Sequence, residues 1–355
     1  MRRLENTDEF VAGKVVFAGL DVHKKHWVAC IMCDGEVLEH LTIAGQYGHL
    51  QKLLERYRAA ARIHVVYEAG FMGSWLYRRL HSDGYDAMIT PSAKIPRDGS
   101  RVKTDRIDAE KLCRYLSAGL LKRVYVLPES VENDRFLIRR RRQVVRNQTR
   151  IKNQIHSLLF LSGLARPAHI TRNWSKAHLL WLEQIPFRHS GQRISLDLLL
   201  AEYESVAHQL RLIKRHLQEL SKHPAYRDDY RRLTSVRGVG LITAMSFLLE
   251  IYDFDRFANE KHFGSYLGLT PSQHSSGSHV RLGHISRQGN SYLRGLLIES
   301  AWTVIRYDDH LAAKYQRIKA RGTNGKKAIV AVARSLAIRL RRCLLDESDY
   351  QLQTG

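Results

Sequence analysis

The chain is short of cysteine, has no long apolar run, and carries two stretches almost empty of acidic residues. Its 355 residues include only 4 cysteines, Cys30, Cys33, Cys113 and Cys343. That is too few for a disulfide framework, and a reducing compartment is expected. Cys30 and Cys33 have zinc-knuckle spacing, but no second close Cys or His pair accompanies them, which argues against a zinc site there. No apolar run approaches the ~20 residues needed to span a bilayer. The opening Met1-Arg2-Arg3-Leu4-Glu5-Asn6 lacks the apolar core of a signal peptide. A cytoplasmic protein without a membrane partner is expected.

The shortage of acid is the larger signal. Lys+Arg number 57 against 35 Asp+Glu, a formal net charge of +22. Solubility does not require so large an excess, which points to a polyanionic partner, nucleic acid first. With 44% hydrophobic residues the chain is globular, and its length suggests two or three domains, each with its own core.

The acids that are present fall at informative places. Val15-Val16-Phe17-Ala18-Gly19-Leu20-Asp21 is an apolar run ending in a carboxylate, as is Ile63-His64-Val65-Val66-Tyr67-Glu68. Both read as buried strands that deliver an acid at their end. Between them, Trp27–Met32 and Val37–Ile43 flank the turn signal Asp34-Gly35. Helices are expected over 48–61 and 74–83, with a strand over 85–91, while residues 1–12 read as loose. Thr104 is a helix N-cap in Lys103-Thr104-Asp105-Arg106-Ile107-Asp108-Ala109, which places Asp105 and Asp108 on one helical face. Taken alone, that pair fits either ion pairing with Arg101 or Lys103 or a divalent metal. The strand-end acids Asp21 and Glu68 favour the metal. Four converging carboxylates cannot all ionise without cations, and two Mg²⁺ ions resolve the conflict in phosphodiester chemistry. The pattern describes an α/β, ribonuclease-H-like (RuvC-like) domain over 13–127.

The remainder reads as all-α. Arg139-Arg140-Arg141-Arg142 lies in a helical stretch with no acid from Arg135 to Lys152, suited to a phosphate backbone. From Leu196 to Leu220 the apolar residues keep heptad spacing. A helical coiled-coil arm is expected over 128–224, with an irregular insertion at 162–195. The seam can pair within the chain or with another copy. A mainly helical domain is expected over 225–345. Within it, Val236-Arg237-Gly238-Val239-Gly240 between apolar helices is similar to a helix-hairpin-helix, whose backbone N–H groups face phosphate. A plain helix connector would look the same. Ser275-Ser276-Gly277 follows, amid Arg281, Arg287 and Arg294, with no acid between Glu260 and Glu299. Arginines can balance charge on a phosphate under attack by a serine.

With these residues in view, the chain resembles the DEDD-type insertion-sequence transposases, described as bridge-RNA-guided serine recombinases and related to the Piv-type DNA invertases. The likeness covers nearly the whole length. It rests on Gly19-Leu20-Asp21-Val22-His23-Lys24, Tyr67-Glu68-Ala69-Gly70, Lys103 to Ala109, Val236 to Gly240, Leu267-Gly268-Leu269-Thr270-Pro271, Ser275-Ser276-Gly277 and Ile285-Ser286-Arg287-Gln288-Gly289-Asn290. The resemblance implies Mg²⁺ held by Asp21, Glu68, Asp105 and Asp108. It also implies a serine, Ser276 with Ser275 as rival, that attacks DNA to form a covalent phosphoserine intermediate at a site shared with the carboxylates. A noncoding guide RNA, a dimer or tetramer, and a nucleoid location are implied as well. The alternative is a RuvC-like endonuclease or junction resolvase in which water attacks. Ala69-Gly70 after Glu68, where many members have Ala-Thr-Gly, together with the 162–195 insertion, suggests a distinct branch.

Overall fold

β1 (Val15–Val22) is a central strand because both of its faces are apolar, and Val16, Ala18 and Leu20 are fully buried. The computed structural model describes residues 7–96, 104–276, 279–285, 289–322 and 324–351, with backbone alone at 272–284. The chain divides into two compact units, Met1–Val126 and Leu127–Gly355.

In the first unit, β2 (His26–Cys33) and β3 (Glu36–Ala44) follow β1 as an antiparallel meander, turning at Asp34-Gly35 with both φ angles positive. β4 (Arg62–Glu68) and β5 (Asp86–Thr90) add in parallel on the other side, giving the order β3-β2-β1-β4-β5. α1 (Thr7–Val11), α2 (Tyr47–Glu55) and α3 (Trp75–Ser82) come before the last helix of this unit, α4 (Asp105–Ser117). Apolar residues of α1, α2 and α3 pack in one cluster with Val16, Leu20, Val65 and Tyr67. α4 covers the opposite face, with Ala109 and Cys113 against Val28, Cys30 and Met32. This mixed α/β sheet is consistent with a ribonuclease-H-like fold.

Two expectations are corrected here. Residues 7–11 are helical, because Val11 is drawn wholly into the core. The helix expected over 48–61 ends at Glu55. Beyond it the chain turns so that Tyr57 buries its ring and donates its hydroxyl to the Glu39 carboxylate.

The second unit is helical. α5 (Glu129–Leu161) is 33 residues long, about 50 Å at 1.5 Å per residue. α6 (Lys176–Gln184) lies in the insertion, and α7 (Ser190–Leu220) returns along α5. Arg140 reaches Gln209, Lys152 lies over the Tyr203 ring, and Gln192 donates to Ser162, so the two long helices run antiparallel. The heptad seam of α7 is thus paired within the chain. Trp174, at φ 62°, fills the insertion by stacking near Tyr203.

The domain continues with α8 (Arg227–Thr234), α9 (Leu241–Ile251) and α10 (Glu260–Tyr266). The hairpin β6 (Pro271–Ser276) and β7 (His279–Ile285) comes next, then α11 (Ser291–Val304), α12 (Asp309–Ala320) and α13 (Gly325–Leu345). One buried cluster extends from Leu127 to Leu344, so the long helices and the C-terminal helices share a core. No helix among the described residues is long and apolar enough to cross a membrane.

Candidate active site

The position of the carboxylates follows from a glycine. On β1, Phe17, Gly19 and Asp21 share the face that α4 covers. A Cβ on Gly19 would lie 2.2 Å from the Ala109 carbonyl oxygen and 2.7 Å from the Cys113 backbone nitrogen. Only a residue without a side chain lets α4 dock this closely. Cys113 adds a tether, its thiol donating to the Phe17 carbonyl at 3.1 Å. The helix runs antiparallel to β1, so its first turn lies over the strand's end. That turn is held by Thr104, whose side chain accepts from the Ile107 N–H at 3.3 Å. Asp105 and Asp108 are thereby set beside Asp21.

Electrostatics register the crowding. Burial raises the Asp21 carboxyl above its ordinary range, His23 opposes the rise, and the charges of Asp105 and Asp108 add to it. One imidazole nitrogen mediates: Nε2 of His23 lies 3.2 Å from Asp21 Oδ2 and 3.3 Å from Asp105 Oδ2. His26 adds a second ring, its Nε2 3.7 Å from Asp105. The turn that carries both histidines is tied by Trp27, whose indole N–H donates to the His23 carbonyl at 3.1 Å. Glu68 ends β4 one residue beyond the Leu20–Tyr67 pair, level with Asp21 on the adjacent strand. A cavity of about 530 Å³ opens beside Asp105, walled by His26, His40, Thr104 and Arg106.

This donor set suits a divalent cation. Carboxylate oxygens attract hard ions, and the like charges around Asp21 are relieved by one. Ligand atoms of His23, His26 and Asp105 also lie within 4.8 Å of one another. Neither histidine was assigned a role from sequence. Their meeting with Asp105 depends on how α4 docks, and the usable signal was Gly19, a glycine inside an apolar strand.

The predicted nucleic-acid residues fall into distinct settings. Arg139 reaches the buried Glu250 of α9 at 3.3 Å, a partner distant in sequence that the acid-free stretch concealed. Arg140 donates to Gln209, Arg141 to the Tyr292 hydroxyl and Arg142 to Ser291. Gly238, at φ 100°, packs where a Cβ would lie 2.8 Å from the Thr303 side chain. Gly240 caps α9 with open space on its Cβ side. Arg237 lies over the Tyr307 ring at 4.9 Å. Arg294, grouped by sequence with Arg281 and Arg287, is 8% exposed and donates to the Leu267 carbonyl at 3.4 Å. It sits on the inward side of α11. Ser276 ends β6, opposite His279 at the hairpin tip. Arg281 pairs through its backbone with His274, whereas Gly277 and Arg287 lie outside the described residues.

Residues 18–162 match a DEDD transposase family of the IS110 type, and residues 230–316 match the family described as "Transposase IS116/IS110/IS902 family". A Sinorhizobium fredii protein named "Putative transposase y4qE" is 30% identical over 90% of this chain and 86% of its own length. The chain belongs to the IS116/IS110/IS902 transposase family. Also similar to this transposase are the "Transposase for insertion sequence element IS1111A" of Coxiella burnetii and the "Transposase for insertion sequence element IS1533" of Leptospira borgpetersenii. The former is 28% identical over 76% of this chain and 74% of its own length; the latter is 26% identical over 69% and 72%. As an IS110-family transposase the chain is an enzyme that acts on DNA.

Proposed function

We propose that this transposase cuts and rejoins insertion-sequence DNA by metal-assisted serine chemistry, with Ser276 as the nucleophile and Asp21, Glu68, Asp105 and Asp108 as the metal ligands. The observation that carries the reading is the gathering of three aspartates at one end of the sheet, with the Asp21 carboxyl raised by burial and by its acidic neighbours. Acids crowded in this way are a frequent setting for a bound cation. Two Mg²⁺ ions held by the four carboxylates would supply charge stabilisation at the attacking and leaving oxygens.

The chain's own groups have separable tasks. His23 holds Asp21 and Asp105 in register through one nitrogen. Ser276, just before a glycine at a hairpin tip, offers a hydroxyl to phosphorus; the bond to one DNA oxygen breaks as the serine ester forms, and a second DNA hydroxyl later reverses the exchange. Ser275 is the alternative nucleophile. Backbone N–H groups near Gly238 and Gly240, acting as a helix-hairpin-helix, together with Arg140, Arg141, Arg142, Arg237, Arg281 and Arg287, bind nucleic-acid phosphates. A noncoding RNA from the element guides site choice, and a dimer or tetramer is the working form, in the nucleoid; family resemblance supports these last points.

The test uses purified protein, Mg²⁺ and labelled DNA from the element's ends, with and without RNA transcribed from the flanking noncoding sequence. A denaturation-resistant protein–DNA adduct that needs the RNA and disappears in Ser276→Ala is expected. Cleavage without an adduct would instead mean that water attacks, as in a junction resolvase.

A further inference from the structure

The second unit contains a cavity of about 850 Å³ that neither the carboxylate site nor the serine uses. Its wall includes Pro271 and Ile285, the residues paired at the root of the β6–β7 hairpin. Ser276 lies about 16 Å from that root at 3.3 Å per residue. The volume falls in the range of ligand pockets, roughly 300–1,000 Å³.

The lining is divided in character. Leu269, Val330 and Ile338 supply apolar surface, and Lys314, Lys326, Lys327 and Arg334 supply positive charge. Two further arginines in the wall are already matched by acids. Arg339 pairs with the buried Asp308 at 2.8 Å, and Arg342 lies 3.8 Å from Asp346. Glu260 is the one carboxylate among the described lining residues, against six Lys and Arg side chains, four of them outside those two pairs.

Two of those cations are held inward. Arg334 Nε is buried without a hydrogen-bond partner, and it lies 3.0 Å from where a Cβ on Gly264 would be, so that glycine makes room for it. Lys314 donates to the Ser335 hydroxyl. Burial, followed by the charges of Arg317, Arg334 and Arg339, lowers its ammonium below the ordinary range. Like charges confined around a cavity are relieved by an anion, just as clustered carboxylates are relieved by a cation.

We infer that this cavity binds one unpaired nucleotide of a nucleic-acid strand, with its phosphate on Lys314, Lys327 and Arg334 and its base against Leu269, Val330 and Ile338. A bare phosphate would leave the apolar wall unused, and an apolar ligand would leave the cations unmatched. A nucleotide satisfies both, and the enzyme already acts on DNA. The site would anchor the strand a fixed distance from the hairpin tip. It stands whether serine or water performs the attack, because its test reads binding alone.

The experiment is fluorescence anisotropy of the full-length protein with a labelled 15-nucleotide oligothymidylate and, separately, the matching oligouridylate, across a salt series. Lys327→Gln, whose side chain is exposed, and the double variant Lys314→Gln/Arg334→Gln are each expected to weaken binding about tenfold or more, as removal of a charge-assisted hydrogen bond does. The salt slope should become shallower by about 0.7 for each phosphate that is no longer neutralised. Val330→Trp fills the cavity without altering charge and should weaken binding at unchanged slope. Thermal melting of each variant verifies folding. A loss seen only with the DNA probe assigns the site to a DNA strand, and one seen only with the RNA probe assigns it to RNA; either supports the inference. Unchanged affinity and slope in the folded charge variants would overturn it. So would weakened binding in those variants with none in Val330→Trp, which would place the cations on open surface rather than in a nucleotide pocket.

Discussion

Gly19→Ala is the substitution that most directly probes how the fold builds the carboxylate site. The added Cβ would lie 2.2 Å from the Ala109 carbonyl oxygen, whereas ordinary contact begins at 3.4 Å, so β1 and α4 must separate by about 1 Å. Overpacking of this kind costs about 1–3 kcal/mol. The functional cost should be larger, because α4 carries Asp105 and Asp108 while β1 carries Asp21. A misplacement of about 1 Å in a catalytic constellation typically costs about 10²-fold in rate. The assay combines thermal melting, calorimetric titration with Mn²⁺ and strand cleavage of element-end DNA. Gly48→Ala is the control: it sits in the first turn of α2 with nothing within 4 Å of its Cβ. There, alanine should be neutral or stabilising by about 0.5–1 kcal/mol. If Gly19→Ala melts, binds Mn²⁺ and cleaves like the parent, close docking of α4 is not what assembles the site.

Other outcomes follow from the same geometry. Removal of Mg²⁺ with a chelator, and Asp105→Asn, should each abolish strand cleavage while filter binding of RNA stays largely intact; parallel loss of both would contradict separate groups for cleavage and RNA binding. Arg139→Ala should destabilise the protein by about 1–3 kcal/mol in denaturant melts, because Glu250 is left buried without its guanidinium partner. Little change in its salt slope for DNA is expected, whereas Arg142→Ala, on α5 and reaching Ser291 at the start of α11, should flatten that slope. His178 accepts the Trp174 N–H at its Nδ1 and is 1% exposed. Burial, then His156 and Arg166, lowers its affinity for protons below the ordinary 6.5. The native state therefore binds fewer protons than the unfolded chain, so this contribution is fully present above pH 6.5 and lost as pH falls from there toward the depressed value. His178→Gln should melt with a flatter pH dependence than the parent over that window, and an equal dependence would refute the assignment.

What could be read in advance was what depends on neighbours in sequence. Apolar runs ending in Asp21 and Glu68 became adjacent parallel strands, and Thr104 became the cap of α4, because strand alternation and capping are local properties. The turn at Asp34-Gly35 was legible for the same reason. What was hidden depends on contacts across long separations. His23 and His26 acquire their place only when α4 docks on Gly19. Arg139 looked unopposed because Glu250 is 111 residues away. Arg294 belongs to the same basic set in sequence, yet it lies on the buried side of α11, which only the packing of that helix reveals. Composition showed the excess of cations; it could not show that six of them line one cavity.

At the heart of the proposed chemistry, a serine of this transposase becomes bonded to DNA while the carboxylate cluster is intact. The decisive experiment is digestion of the Mg²⁺-dependent protein–DNA adduct with protease and nuclease, followed by mass spectrometry of the modified peptide. A nucleotide phosphoester on Ser276 is expected, absent when Asp105→Asn protein is used. Cleaved DNA with free ends and no modified serine would contradict serine attack.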